Sequence, residues 1–369
     1  METRKYSIDT TILRDWLDNH SDVLVLDVRP AEQREEWQIP GSIHIDAYQR
    51  LKENDLSVLD EVRVPENTKV VTVCAAGRTS QIASEALRAK GIEAYSLEGG
   101  MKAWTSAWNT ALISDTKATI IQVRRTGKGC LSYIIGSEDE ALVIDASLNI
   151  EVYQTLATQH GWKIKYVMDT HIHADHLSRS SHLAEITGAE LFMPQQKKLQ
   201  YPFNPLNSST ELKFGASTLK AISTPGHTLE SFTYLLNGNY LFTGDTLFTD
   251  GVGTPDLKAN EEEAKYRAGL LYDSLMNLIQ FPEATLILPG HYSKPVPFDG
   301  NPIAATITKV KENVSSLSLS KEDFITNILS KIPPNPPNYL KVVEMNLAGD
   351  IDSINPEEVE AGANRCGIS

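Results

Sequence analysis

The chain has 369 residues, 41% of them hydrophobic and 22% charged, with 34 Lys and Arg against 48 Asp and Glu for a net charge of −14. That length predicts two domains with an appendage, since single cores stop growing beyond about 250–300 residues, and the composition excludes wholesale disorder and collagen-like structure. The negative balance argues against nucleic acid or an anionic membrane as a partner, while leaving small anionic substrates open.

From the N-terminus onward, residues 22–28 (DVLVLDV) and 69–73 (KVVTV) read as strands buried on both faces of a parallel sheet. Between positions 80 and 90, Ile82, Ala83, Ala86 and Leu87 form one helical stripe, with Gly91 after it as a C-terminal stop. A strand is expected at 93–97 and a short closing helix at 101–108. Residues 1–110 are thus a small α/β domain, and 109–117 (NTALISDTK), without periodicity, reads as a linker. Strands follow at 118–123, 131–136, 141–145 and 164–169, with a helix at 150–160. Asn237-Gly238, between FTYLL and YLFTG, signals a hairpin. A long amphipathic helix at 261–279 and a strand at 284–289 complete a second domain, 117–300. The rest, 301–369, reads as a tail packed on it: two short helices within 302–331, then a proline-rich stretch at 333–337. No apolar run approaches the roughly 18 residues of a membrane span, and residues 1–11 lack a signal peptide's apolar core. Three cysteines are no disulfide framework, so a soluble, cytoplasmic protein is expected.

Cys74 ends a strand and is followed by Ala75, Ala76, Gly77, Arg78, Thr79 and Ser80, then a helix. A thiol at a helix N-terminus sits where unpaired amides and the helix dipole favour its anion. Small residues let the loop curl into an anion nest, to which Arg78 adds charge. A cysteine phosphatase would need Arg at the position of Ser80, which disfavours that chemistry. With Leu26-Asp27-Val28-Arg29, Ile39-Pro40-Gly41-Ser42-Ile43-His44 and Leu97-Glu98-Gly99-Gly100-Met101, this region resembles the rhodanese sulfurtransferases. The resemblance implies that Cys74 carries sulfane sulfur as a persulfide, that Arg78 and the 75–79 loop bind the anion, and that Asp27 and Arg29 are structural. Ala75 stands where thiosulfate-using members often have Arg.

The strongest signal lies in the second half. Thr170-His171-Ile172-His173-Ala174-Asp175-His176 leaves a strand, and Pro225-Gly226-His227, Gly244-Asp245 and Pro289-Gly290-His291 lie at other strand ends or turns. Five of the nine histidines fall in these motifs, a distribution with no structural rationale other than converging on metal. The remaining four, His20, His44, His160 and His182, are read as ordinary surface or core residues. Cys130 is expected in the core, and Cys366 as a free exposed thiol unless the tail folds back to the metal site.

These motifs resemble the metallo-β-lactamase superfamily, whose fold is an αββα sandwich with metal at one edge of the sheets. The resemblance places His171, His173 and His227 at a first metal, and Asp175, His176 and His291 at a second, with Asp245 between them. Two chemistries fit that set. One is thioester hydrolysis at two Zn²⁺, as in glyoxalase II. The other is persulfide oxidation at one Fe(II) held by His171, His227 and Asp245, as in persulfide dioxygenases, with His173, Asp175, His176 and His291 behind the ligands. Fusion to a sulfurtransferase favours the second, as do Pro336-Pro337-Asn338-Tyr339 and Ala363-Asn364-Arg365-Cys366-Gly367, which look like persulfide dioxygenase tails. Small persulfides, O2, sulfite and thiosulfate are the implied partners, and a homodimer is expected. Tyr292 is read as a substrate contact. The Arg that holds glutathione's carboxylate in related enzymes is absent from the run Gly251-Val252-Gly253-Thr254-Pro255-Asp256.

Overall fold

The computed structural model describes residues 6–255, 260–332, 338–351, 354–360 and 366–368. The expectations placed on 333–337, on Asp256 and on Ala363-Asn364-Arg365 lie outside them.

The apolar runs of the N-terminal half form the parallel sheet that their two-sided burial requires. Its order is Ser7–Ile8, Ala94–Leu97, Lys69–Val73, Val23–Asp27, Ile43–His44, with every pair parallel. The helix Arg78–Ala89 packs Ala83, Ala86 and Leu87 against Leu26, Val70 and Ala94 of this sheet. The closing helix is shorter than expected and spans Gly100–Trp104. Trp104 is fully buried, with its ring centroid 6.2 Å from that of Phe298 in the second domain.

Residues 109–117 are not a linker. Asn109–Ser114 is an edge strand of the second domain, paired antiparallel with Thr119–Arg124 in six-residue register. An alternating strand that exposes Leu112 carries a weak signal on its own. Its place is set by the ladder with its neighbour and by Asn109 Nδ2, which donates to Pro297 O at 3.0 Å.

The second domain stacks two mixed sheets. One runs Asn204–Leu206, Glu190–Pro194, Lys163–Met168, Glu140–Ile144, Leu131–Ser137, Thr119–Arg124, Asn109–Ser114. The other runs Glu211–Phe214, Ser217–Ser223, Phe232–Leu236, Tyr240–Gly244, Leu286–Pro289, Ala305–Thr306. Ile120, Tyr133, Ile144 and Met168 from the first interdigitate with Leu219, Tyr234, Phe242 and Leu288 from the second. Helices Ile150–Gln159 and Ser180–Thr187 cover one outer face, and Glu261–Leu278 covers the other. This is the expected αββα sandwich. Asn237 and Gly238 turn the hairpin with φ of 50° and 81°.

The tail packs on this domain as expected, placing Val310, Phe324 and Ile328 against Leu271 and Leu275. It also does more, because Gly367–Ile368 pairs antiparallel with Val252–Gly253. Cys366 is therefore buried, 8% exposed, rather than a free surface thiol. No helix among the described residues is long and apolar enough to cross a membrane.

Candidate metal centre and sulfur-transfer loop

The loop after Lys69–Val73 is held by its neighbours across the domain. Gly77 caps the helix at φ 83°, leaving the first-turn amides of Arg78, Thr79 and Ser80 without intrahelical acceptors. Met101 N–H donates to Cys74 O at 2.8 Å and Lys102 N–H to Ala75 O at 3.0 Å. These bonds explain the Gly99-Gly100 pair: a Cβ on Gly100 would stand 2.2 Å from Cys74 O, so only glycine lets the two segments meet. The Cys74 sulfur is buried 3.4 Å from Ser80 Oγ, which lies 2.9 Å from Ser96 Oγ. Ala75, Ala76 and Arg78 are exposed above it, while Gly77 and Thr79 are buried. Asp27 and Arg29 pair with each other at 2.7 Å beneath the sheet end, as a structural role demands.

Five strand ends and turns of the sandwich bring the histidines together. Three atoms, one each from His171, His227 and Asp245, lie within 4.8 Å of one another, and neither nitrogen of His173 joins them. The hydrogen bonds fix what each presents. Asp145 is a carboxylate and can only accept, so Thr170 Oγ1 donates to its Oδ2 at 2.9 Å. Thr170 Oγ1 must then accept from His171 Nδ1 at 2.9 Å, leaving Nε2 of His171 as a bare lone pair. His227 Nδ1 donates to Thr254 O at 2.7 Å, which leaves its Nε2 bare as well. These two Nε2 atoms lie 3.9 and 3.7 Å from Asp245 Oδ2, itself buried without a hydrogen-bond partner. Three acceptors thus face one another, the Asp245 oxygen among them buried without a partner, and the donor nearest them is the Cys366 thiol beside Asp245. Such a group is costly unless a cation occupies its centre, so a divalent metal fits these residues.

The second cluster is different. His291 donates from Nδ1 to Asp245 Oδ1 at 2.6 Å and from Nε2 to Asp175 Oδ2 at 2.8 Å. Both partners accept only, so both nitrogens carry protons. Burial opposes that charge, but Asp245 and Asp175 hold the His291 pKa well above its ordinary value. Burial would raise Asp175, yet His291 and His176 hold it well below the usual carboxylate range. His176 Nδ1 lies 3.0 Å from Asp175 Oδ1, and its Nε2 is buried without a partner. His173 Nε2 lies 3.2 Å from Asp145 Oδ1, leaving a buried, unpartnered Nδ1.

Several participants carry no local sequence signal. Cys130 donates to Asp175 Oδ2 at 3.3 Å, so it belongs to the site rather than to an inert core. Burial and Asp175 push its thiol up, and His176 and His291 bring it down to about 7. Cys366 lies beside Asp245 and His291, delivered by the returning tail. A cavity of about 370 Å³ opens here, lined by Ile172, His227, Arg267, Val343 and Cys366 among others. Tyr292 does not line it and packs instead against the sandwich core. Glu360, fully buried, bonds Arg125 at 2.5 Å, Arg179 at 2.6 Å and Leu177 N–H at 2.8 Å, tying the tail to the histidine loop. The signal available in sequence was weak: Asp145 is a carboxylate just after the strand Glu140–Ile144, at φ 56°.

Residues 9–107 match the rhodanese-like domain family, and residues 125–291 match the metallo-β-lactamase superfamily. In fold, the chain joins a rhodanese-like parallel-sheet domain to a metallo-β-lactamase-like αββα sandwich. A hydroxyacylglutathione hydrolase of Rhodospirillum rubrum is 30% identical over 189 residues, covering 50% of this chain and 66% of that protein. A β-lactamase hydrolase-like protein of Agrobacterium fabrum is 25% identical over 231 residues, covering 57% of this chain and 52% of its own length. The chain thus spans between half and two thirds of those relatives. Among solved structures, ETHE1 from Myxococcus xanthus superposes with a TM-score of 0.53 at 27% identity, covering 65% of this chain and 99% of that one.

Proposed function

We propose that the metallo-β-lactamase domain oxidises a low-molecular-weight thiol persulfide with O2 to sulfite, and that the rhodanese domain moves sulfane sulfur through Cys74. The balanced oxidation is RSSH + O2 + H2O → RSH + SO3²⁻ + 2H⁺. The observation that carries the reading is the triad of His171 Nε2, His227 Nε2 and Asp245 Oδ2, with that carboxylate oxygen buried without a partner, set apart from a histidine, His291, whose two nitrogens are both committed to carboxylates. One metal, Fe(II), fits two imidazoles and a carboxylate. When bound, it supplies open positions for O2 and a sulfur anion together with the reducing power that O2 chemistry needs.

The chain's own groups do the rest. Thr170 and Thr254 O hold both imidazoles in the ligating tautomer. His291 occupies Asp245 Oδ1, so Oδ2 alone faces the ligand position. The cavity beside His227 admits the persulfide, with Lys198 and Arg267 on its wall to meet an anionic carrier. In the rhodanese domain, the Cys74 thiolate attacks the outer sulfur of thiosulfate, the S–S bond breaks, and sulfite leaves with the electron pair; the reverse step returns sulfur to sulfite. Arg78 and the amides of the first helical turn attract that anion. The likeness to the Myxococcus ETHE1 chain and the fusion of two domains support this reading.

A second reading, a binuclear zinc thioester hydrolase with a regulatory rhodanese domain, is favoured by the hydrolase-named relatives and by the unpartnered His173 Nδ1 and His176 Nε2. One experiment separates them. Iron-loaded protein given glutathione, coenzyme A or inorganic persulfide should consume O2 and release equal sulfite; Asp245→Ala should lose the uptake and Cys74→Ser should keep it. Two zinc ions per chain with O2-independent thioester cleavage would establish the second reading instead.

A further inference from the structure

A cavity of about 340 Å³ lies away from both sites, in the seam where the rhodanese domain, the metallo-β-lactamase domain and the tail meet. Arg14 and Trp108 line it from the first domain side, and Arg125, Ser147, Asn149 and Arg179 from the second. No Asp or Glu lines it among the described residues. Behind it, among the described residues, the carboxylate of Glu360 pairs with both Arg125 and Arg179.

The donors on this wall are only partly spent. Arg125 is fully engaged, giving Nε to Thr105 O at 2.6 Å, Nη1 to Ser147 O at 3.2 Å and Nη2 to Glu360. Arg179, 5% exposed, donates only from Nη1, to Leu177 O and Glu360, which leaves Nε and Nη2 without partners. Ser147 Oγ, 1% exposed, makes no well-aligned hydrogen bond and has the Tyr153 hydroxyl as its neighbour. Arg14 places its guanidinium carbon 4.2 Å from the Trp108 ring centroid, and the carboxylates that act on it, Asp18 and Asp15, lie on its own helix. Asn149 opens the ten-residue helix Ile150–Gln159 without a side-chain cap; Val152 N–H goes to Asn149 O at 3.0 Å, which leaves the amides of Ile150 and Glu151 open at this end, with Glu151 as the acidic residue of the turn.

We propose that this seam is a binding site for a small dianionic oxyanion of the sulfate, thiosulfate or phosphate class, held by Arg14, Arg179, Ser147 and the N-terminus of the helix Ile150–Gln159. A forked guanidinium matches the edge of such an anion, and uncompensated cationic charge in a half-enclosed cavity favours it over a neutral ligand. Because the walls come from both domains, binding also couples their docking to the anion.

The test is calorimetric titration of the full chain with sodium thiosulfate, sulfate and phosphate at constant ionic strength. The expected result is saturable binding that is one-to-one once the anion site at the sulfur-transfer loop is removed by Cys74→Ser with Arg78→Gln, and that weakens about tenfold or more when Arg14→Gln or Ser147→Ala is added to that background. A preference for thiosulfate would identify a sulfur oxyanion as the source, and a preference for phosphate a phosphorylated one. Absence of saturable binding to that background, or equal binding when Arg14→Gln and Ser147→Ala are added to it, would overturn the proposal.

Discussion

Replacing Asp145 by asparagine should disable metal binding without touching a ligand. Asp145 Oδ1 accepts from Thr170 N–H at 2.7 Å, and that amide can only donate. In the Asp145→Asn variant the remaining side-chain oxygen must therefore stay there, placing the new NH2 against Thr170 Oγ1, where Oδ2 accepted at 2.9 Å. The hydroxyl then accepts from that NH2 and keeps only the longer 3.2 Å contact to the remaining oxygen for its own proton, which His171 Nδ1, 2.9 Å away, competes for. This favours the tautomer protonated at Nε2, the atom aimed at the metal. The change is isosteric and suits the positive φ of 56°, so the fold should persist. Loss of such an orienting partner typically costs about 10–100-fold in metal affinity, or about 1.4–2.8 kcal/mol. Competition with a chromophoric chelator, alongside circular dichroism, would measure it. An affinity within about twofold of wild type in a folded protein would refute the tautomer argument.

Glu360→Gln should lower the unfolding midpoint of the metallo-β-lactamase domain at neutral pH by the equivalent of about 3–5 kcal/mol, because Arg125 and Arg179 lose their shared carboxylate in a buried site; an unchanged calorimetric midpoint would disprove it. Burial would raise the Glu360 pKa, but Arg125 and Arg179 hold it at about 2, below its ordinary 4.5. The unfolded chain therefore takes up this proton first, and the stabilisation, complete above about pH 4.5, should be lost as pH falls toward 2. Denaturant titrations of wild type and Glu360→Gln across that range should converge at the acid end. Gly100→Ala would place a Cβ 2.2 Å from Cys74 O at a φ of 58°, and should reduce thiosulfate-dependent sulfur transfer on the order of 10–100-fold while leaving metal content unchanged; transfer at the wild-type rate would refute the role given to this close approach.

Much of the architecture was legible because its signals are local. The run KVVTV must be a doubly covered strand, Asn237-Gly238 must turn a hairpin, and the strand-loop-helix setting of Cys74 follows from residues adjacent in the chain. The metal motif was equally plain, since four of its members lie within six residues at one strand end. The features that were not legible involve partners far apart in sequence. Asn109–Ser114 is a strand only because Thr119–Arg124 offers it a ladder. Cys366 is buried only because Gly367–Ile368 returns to Val252–Gly253. His173 and His171 are near-identical in sequence context, yet one faces Asp145 and the other Asp245, and His291 commits both its nitrogens to carboxylates 46 and 116 positions away. Residue identity sets which atoms can donate or accept; only the packing of the two sheets and the tail sets which of them meet.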